Sequence, residues 1–353
     1  MANCEHIAWL QSVDNKESQL RDGGRMKRVL EEMPRPSEQC PSIVFFIGQK
    51  AKNTALHELF PFNNVRRGRR DGFANLRLDN ATINSDRPIW FADSDPFTRI
   101  IPTRGAALCH ESNVYSARWA PPSEYSMFDI LHARVFFLFT DVICIFADDF
   151  DGLENVAKRL VVWASIGSAS SLSKVIRPKV VIVTSANSTS PTHNILETED
   201  FRFNLCQKGH RNLMKSFSSI SLLYLPGDHL SRLAQHRQLR ESIVRDADEM
   251  REVRSHNHSL FTALHLHGFC QKAIVHAADT ISQPFNFIFA TRERNMILQD
   301  FRDHLMTAMK LGTQFKLPYD ALSSYIASCM VMDAYPPGMH CEYSIHFALI
   351  SQH

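Results

Sequence analysis

Short, wholly apolar runs recur along the first two-thirds of the chain, separated by amphipathic or polar stretches. Residues 43–47 (IVFFI) are apolar at every position and too few for a helix, which predicts a strand covered on both faces. The same reading applies to 88–92 (PIWFA), 141–147 (DVICIFA), 177–184 (RPKVVIVT) and 218–225 (SSISLLYL). Residues 73–78 alternate (FANLRL) and predict a half-exposed edge strand. Between these runs, residues 54–60, 123–137 and 153–164 have helical spacing, the first of them stopped by Pro61. Strand and helix patterns in alternation predict an α/β fold with a mostly parallel sheet flanked by helices.

Beyond residue 229 the strand signals stop. Helical periods follow at 230–254, 259–281, 297–310 and 319–333, a C-terminal helical extension. Before residue 41 the chain is polar and broken by Gly23-Gly24 and Pro34-Arg35-Pro36. The expected organisation is therefore a leader over 1–40, an α/β domain over 41–228 and helices over 229–353.

With 353 residues, 44% of them hydrophobic and 22% charged, the chain has the composition of an ordinary globular protein. A net charge of +2 gives no argument for a nucleic-acid partner. No apolar stretch has the length of a signal peptide or a membrane span. Eight cysteines are scattered, five of them in or beside apolar segments (Cys144, Cys206, Cys270, Cys329, Cys341), as reduced core thiols of a cytoplasmic protein would be. The basic run Arg66, Arg67, Arg69, Arg70 reads as a solvated loop.

The chemistry sits after the first predicted strand. Gly48 is followed by Gln49, Lys50, Ala51, Lys52, Asn53 and Thr54. Strand, glycine, polar loop and helix form the layout of a phosphate-binding loop. A working loop reads G-x-x-x-x-G-K-[ST], its backbone N–H groups around the phosphates and its Lys and Ser/Thr on phosphate and magnesium. Aligned on Lys52, this loop is two residues short and lacks the second glycine. Gly48, Lys50, Lys52, Asn53 and Thr54 are the candidate remnants.

The order of signals resembles a small-GTPase-type P-loop domain, and in particular the N-terminal GTPase-like domain of fungal patatin-like phospholipases (FabD/lysophospholipase-like proteins). The family loop reads approximately FVGQTGAGKST, against FIGQKAKNT here. Pro88-Ile89-Trp90-Phe91-Ala92-Asp93-Ser94-Asp95 is similar to a family strand end. Thr140-Asp141-Val142-Ile143-Cys144 is similar to a second segment, and Ala327-Ser328-Cys329 with Asp333 to a third. The likeness spans 42–333 and implies a P-loop GTPase-like fold.

The departures bear on activity. Where an N-K-x-D base-reading motif belongs, the chain has Thr184-Ser185-Ala186-Asn187-Ser188. Asp93 stands for the switch aspartate of D-x-x-G, but Pro96 and Phe97 follow where glycine belongs. The patatin G-x-S-x-G elbow is missing: Ile166-Gly167-Ser168-Ala169-Ser170 lacks its second glycine, and Asp22-Gly23-Gly24 reads as a turn. No lipid substrate site is visible.

Four other groups stand out by composition. His256, His258, His265, His267, Cys270 and His276 invite a metal, as do His340, Cys341 and His346, but none has the paired short spacing of a zinc site. Asp148, Asp149 and Asp151 end a strand where α/β sheets bind ligands, and read either as magnesium ligands or as turn and helix-cap residues. Phe285, Phe287 and Phe289 read as core packing.

The expectation is a catalytically degenerate GTPase-like module acting by binding or regulation through a protein partner. It carries no resident cofactor; GTP or ATP with magnesium is its ligand if the loop binds one. The alternatives are a divergent NTPase, with Lys50 or Lys52 on phosphate and Thr54 and Asp93 on magnesium, and a metal-dependent protein using the 256–276 histidines.

Overall fold

The computed structural model describes residues 7–14, 18–65, 74–97, 112–120, 122, 124–167, 170, 172–185, 201, 212–227, 230–291 and 300–334. Among them nine strands make one sheet: β1 (Ala8–Asp14), β2 (Ser18–Asp22), β3 (Ser42–Ile47), β4 (Ala74–Leu78), β5 (Ile89–Ser94), β6 (Asn113–Ser116), β7 (Val142–Phe146), β8 (Lys179–Ser185) and β9 (Ser219–Leu225). Their order is β6-β2-β1-β4-β5-β3-β7-β8-β9.

The fold is α/β, but the sheet is mixed, which corrects the expectation of a mostly parallel one. The strands β5-β3-β7-β8-β9 run parallel to their neighbours. The junctions β6/β2, β2/β1, β1/β4 and β4/β5 are antiparallel. The cause is the segment read as a leader: two strands and helix α1 (Arg25–Glu32) fall within residues 1–40. They extend the sheet beyond β4, so β4 is interior and buried at every residue, not an exposed edge.

Period-2 alternation splits the core in two. Val44, Phe46, Val142, Cys144, Phe146, Val181 and Val183 join Leu56 and Leu59 of α2 (Lys50–Leu59) in one buried cluster. Leu239, Ile243 and Ala247 of α5 (Arg232–His256) complete it. On the opposite face Phe45 meets Trp9 and Phe136 in an aromatic group that includes His132 and Trp163. Strands buried on both faces must be apolar throughout, which is why β3 and β7 show no polar alternation.

The helices on this second face include α3 (Met127–Leu131), which continues through a π-helical turn (His132–Phe136) to Phe137–Phe139. With it lie α4 (Leu153–Ile166) and α6 (Ala263–Asp279). Helix starts follow capping chemistry: Ser126, Ser231 and Thr262 accept from the N–H groups of Asp129, Ala234 and His265.

Helix α5 is anchored by charge as well. Arg254 Nε donates to Asp141 Oδ1 at 2.5 Å, and Asp141 Oδ2 accepts from Ile43 N at 2.8 Å. Helices α5 and α6 belong to the compact unit Met1–Phe285 that contains the sheet. A second unit, Asn286–His353, contains α7 (Phe287–Thr291), α8 (Phe301–Gln314) and α9 (Tyr319–Ala334). In it α8 and α9 approach closely at Gly312, where a Cβ would fall 2.7 Å from Leu322 Cδ1.

Candidate functional site

Strand β3 lies where the parallel strands change direction of progression: β5 is added on one side and β7 on the other. The crevice at the carboxyl ends beside such a reversal is the usual ligand position in open α/β sheets. The chain places there the loop from β3 to α2, the end of β5 and the turn after β7.

The loop turns at Gly48, whose φ of 152° is in the region glycine favours. A Cβ there would also lie 2.5 Å from Asp149 Oδ2. Helix α2 then begins with its first N–H groups pointing into the crevice. Every one of these donors is taken by Asp149. Its Oδ2 accepts from Gln49 N at 2.6 Å and Lys52 N at 3.1 Å; its Oδ1 accepts from Lys50 N at 2.9 Å and Ala51 N at 3.0 Å. A carboxylate at a helix N-terminus satisfies orphan donors and the positive end of the helix dipole together.

Lys52 turns inward and is almost fully buried. Its Nζ donates to Asp93 Oδ2 at 3.0 Å and to the Ser94 carbonyl at 3.3 Å. On the other oxygen of Asp93, Arg77 donates at 2.5 Å, and Asn75 Nδ2 is 3.4 Å from Oδ2. Burial raises the Asp93 pKa, but the Lys52 and Arg77 charges and their hydrogen bonds outweigh it and hold it at about 2. The carboxylate is thus ionised and saturated by two cations.

The remaining candidates are scattered in role. Lys50 is exposed. Thr54 Oγ1 donates back to the Lys50 carbonyl at 3.1 Å, a bond within the helix. Asn53 N donates to the Gln49 carbonyl at 3.1 Å. Thus Gly48, Lys52 and Asp93 meet at one site, while Lys50, Asn53 and Thr54 do not converge with them on a common ligand position.

The acidic turn is a 3-10 turn, Ala147–Phe150. Beside Asp149, Asp148 accepts from Thr184 Oγ1 at 2.9 Å, Ser185 Oγ at 2.6 Å and Ser185 N at 3.1 Å. Both therefore act as caps, Asp149 on a helix far from it in sequence. Phe150 meets Phe97 edge-on, centroids 5.1 Å apart. Residues 186–188 of the base-reading segment, the basic run 66–70 and His340, Cys341 and His346 lie outside the described residues.

One couple had no sequence signal. Ser94 Oγ is 2.9 Å from His132 Nε2, and His132 Nδ1 is 2.7 Å from the Phe128 carbonyl. The carbonyl can only accept, so Nδ1 carries the proton and Nε2 accepts from the serine. Burial lowers the His132 pKa to about 4, so the ring is neutral. Both residues are buried, and the couple brackets β5 to α3.

Three of the 256–276 histidines are spent locally. His256 Nδ1 lies 2.8 Å from the Glu252 carbonyl, His265 Nδ1 3.1 Å from Thr262 Oγ1, and His276 Nε2 3.0 Å from the Gln283 carbonyl. Among the described residues no group of three or more His, Cys, Asp or Glu is set to hold a metal. Nor is any described helix long and apolar enough to cross a membrane.

No protein-family model matches the chain, and no curated protein matches it. The site has to be judged on its own donors. A nucleotide phosphate needs free loop N–H groups, a free lysine and an aspartate open to magnesium. Here the N–H groups are taken by Asp149, Lys52 is paired, and the ionised Asp93 is held by two cations; Lys50 alone of the candidate lysines is exposed, so the residues present do not fit that group.

Proposed function

We propose that the chain is a catalytically degenerate, GTPase-like module that acts in the cytoplasm by binding or regulating a protein partner. The observation that carries this reading is the fate of Lys52, which is buried against Asp93 and Arg77 and cannot reach a phosphate without breaking that network. The frame supports it too: a β-strand, a tight glycine turn and a helix stand at the reversal of a parallel half-sheet. The motif resemblance to the GTPase-like domain of fungal patatin-like phospholipases agrees with that frame. A divergent NTPase would need Lys50 or Lys52 on phosphate and Thr54 and Asp93 on magnesium; only Lys50 of these is free in the fold as it stands.

The test is titration of the folded protein with fluorescent GTP and ATP analogues in the presence of magnesium. No saturable binding is expected. Saturable binding that disappears in a Lys50→Ala/Lys52→Ala variant would overturn the reading in favour of an active NTPase.

A further inference from the structure

We infer that Asp148 and Asp149 form a built-in ligand, filling from within the chain the two loops that a nucleotide would bridge. The inference rests on the pseudo-GTPase reading for the identity of those loops. Its geometry stands on the sheet order. Strand β7 lies between β3 and β8, so a turn at its carboxyl end has the loop after β3 on one side and the end of β8 on the other. Adjacent side chains on that turn diverge to both. Asp149 takes the four N–H groups from Gln49 to Lys52; Asp148 takes the Ser185 N–H and the hydroxyls of Thr184 and Ser185.

An ordinary helix cap differs from this. A capping side chain belongs to the residue just before its own helix and satisfies one or two N–H groups. At that position Gln49 makes no side-chain cap, and the first turn of α2 has no acidic residue. The anion arrives instead from about a hundred residues downstream and uses both oxygens. Gly48 is shaped to it, since any Cβ would meet Asp149 Oδ2. Charge-assisted bonds of this kind are the strong ones. The carboxylates therefore do the structural work of a bound anion, and they cannot be exchanged or hydrolysed. A domain filled in this way is fixed in one liganded state.

The experiment is chemical rescue. Asp149→Gly empties the cradle, and thermal unfolding is followed in chloride, acetate and inorganic phosphate at matched ionic strength. The variant should lose about 5 °C or more in chloride and regain at least half of that in acetate or phosphate. The wild type should respond equally to all three salts. A loss with no selective regain, or no loss, overturns the inference.

If Asp149→Gly does not fold, Asp149→Asn serves: it keeps one acceptor oxygen and removes the charge. Amide exchange at residues 49–52 should then quicken about tenfold or more, and unchanged protection overturns the inference. Saturable GTP binding by the wild type would overturn the pseudo-GTPase reading and the plug with it, whereas a failed salt rescue without GTP binding overturns the plug alone.

Discussion

Asp93 is the point at which the buried charges of the site can be counted. It faces Lys52 and Arg77, all three almost fully buried, so the cluster holds two positive charges and one negative. Asp93→Asn keeps the shape and leaves the two cations facing an amide. Removing one member of a buried ion pair costs about 3–5 kcal/mol, and two stranded cations place this variant at the upper end. Lys52→Met removes the other kind of partner and leaves a balanced Arg77–Asp93 pair, so its cost should be smaller, about 1–3 kcal/mol. The double variant should then be more stable than Asp93→Asn alone, because it relieves the repulsion.

The pH dependence gives a second handle on the same group. The Asp93 pKa is lowered from 3.8 to about 2 in the fold, so its contribution is present above pH ~4 and lost as pH falls toward ~2. Linkage gives about 2 kcal/mol for that difference. Urea denaturation at pH 7 and through the acid range, on all three variants, measures both quantities. The gap between wild type and Asp93→Asn should narrow by that amount on acidification. A cost below about 1 kcal/mol, strict additivity in the double variant, or a gap that ignores pH would refute the account of Lys52 as a captured residue.

Two further outcomes follow from the same geometry. Gly48→Ala should destabilise by about 1–3 kcal/mol, from its positive φ and its collision with Asp149 Oδ2, and part of that cost should vanish in an Asp149→Gly background; a tolerated alanine, by chemical denaturation, would mean that the carboxylate is not fixed over the loop. His132 is held neutral with its pKa lowered from 6.5 to about 4, so the unfolded chain takes up a proton first and stability should fall by about 3 kcal/mol between pH ~6.5 and ~4. Replacing the ring by His132→Gln should flatten that slope in pH-dependent unfolding, and an unchanged slope would place the titration elsewhere.

What could be read from the sequence depended on how each strand is covered. Strands β3, β7 and β8 are buried on both faces, so their solid apolar runs identify them without context. Strands β2 (SQLRD) and β1 (AWLQSVD) look like loop because they are rich in polar residues, some half-buried and some, such as Gln11 and Asp22, buried. Strand β4 was misleading for a different reason. Asn75 and Arg77 read as solvent-facing, yet both are drawn inside by the charge of Asp93. Gly48 and Lys52 could be picked out by spacing along one loop. The direction of the lysine could not, since it is set by partners at the end of another strand, β5. Asp149 was legible as a cap, but its helix lies about a hundred residues earlier, and no local pattern encodes that pairing.

The extra strands also bear on how the chain can fold. Gln19 of β2 pairs with Ser116 of β6, and Ala8 of β1 pairs with Asn75 of β4. Strands β1 and β2 pair with each other locally, but their outer partners are made later, the last about a hundred residues downstream. Such non-local pairings delay the reward for ordering the chain and slow folding. The β1–β2 hairpin can therefore close on its own, while its ladders to β4 and β6 are non-local pairings completed only after those strands exist.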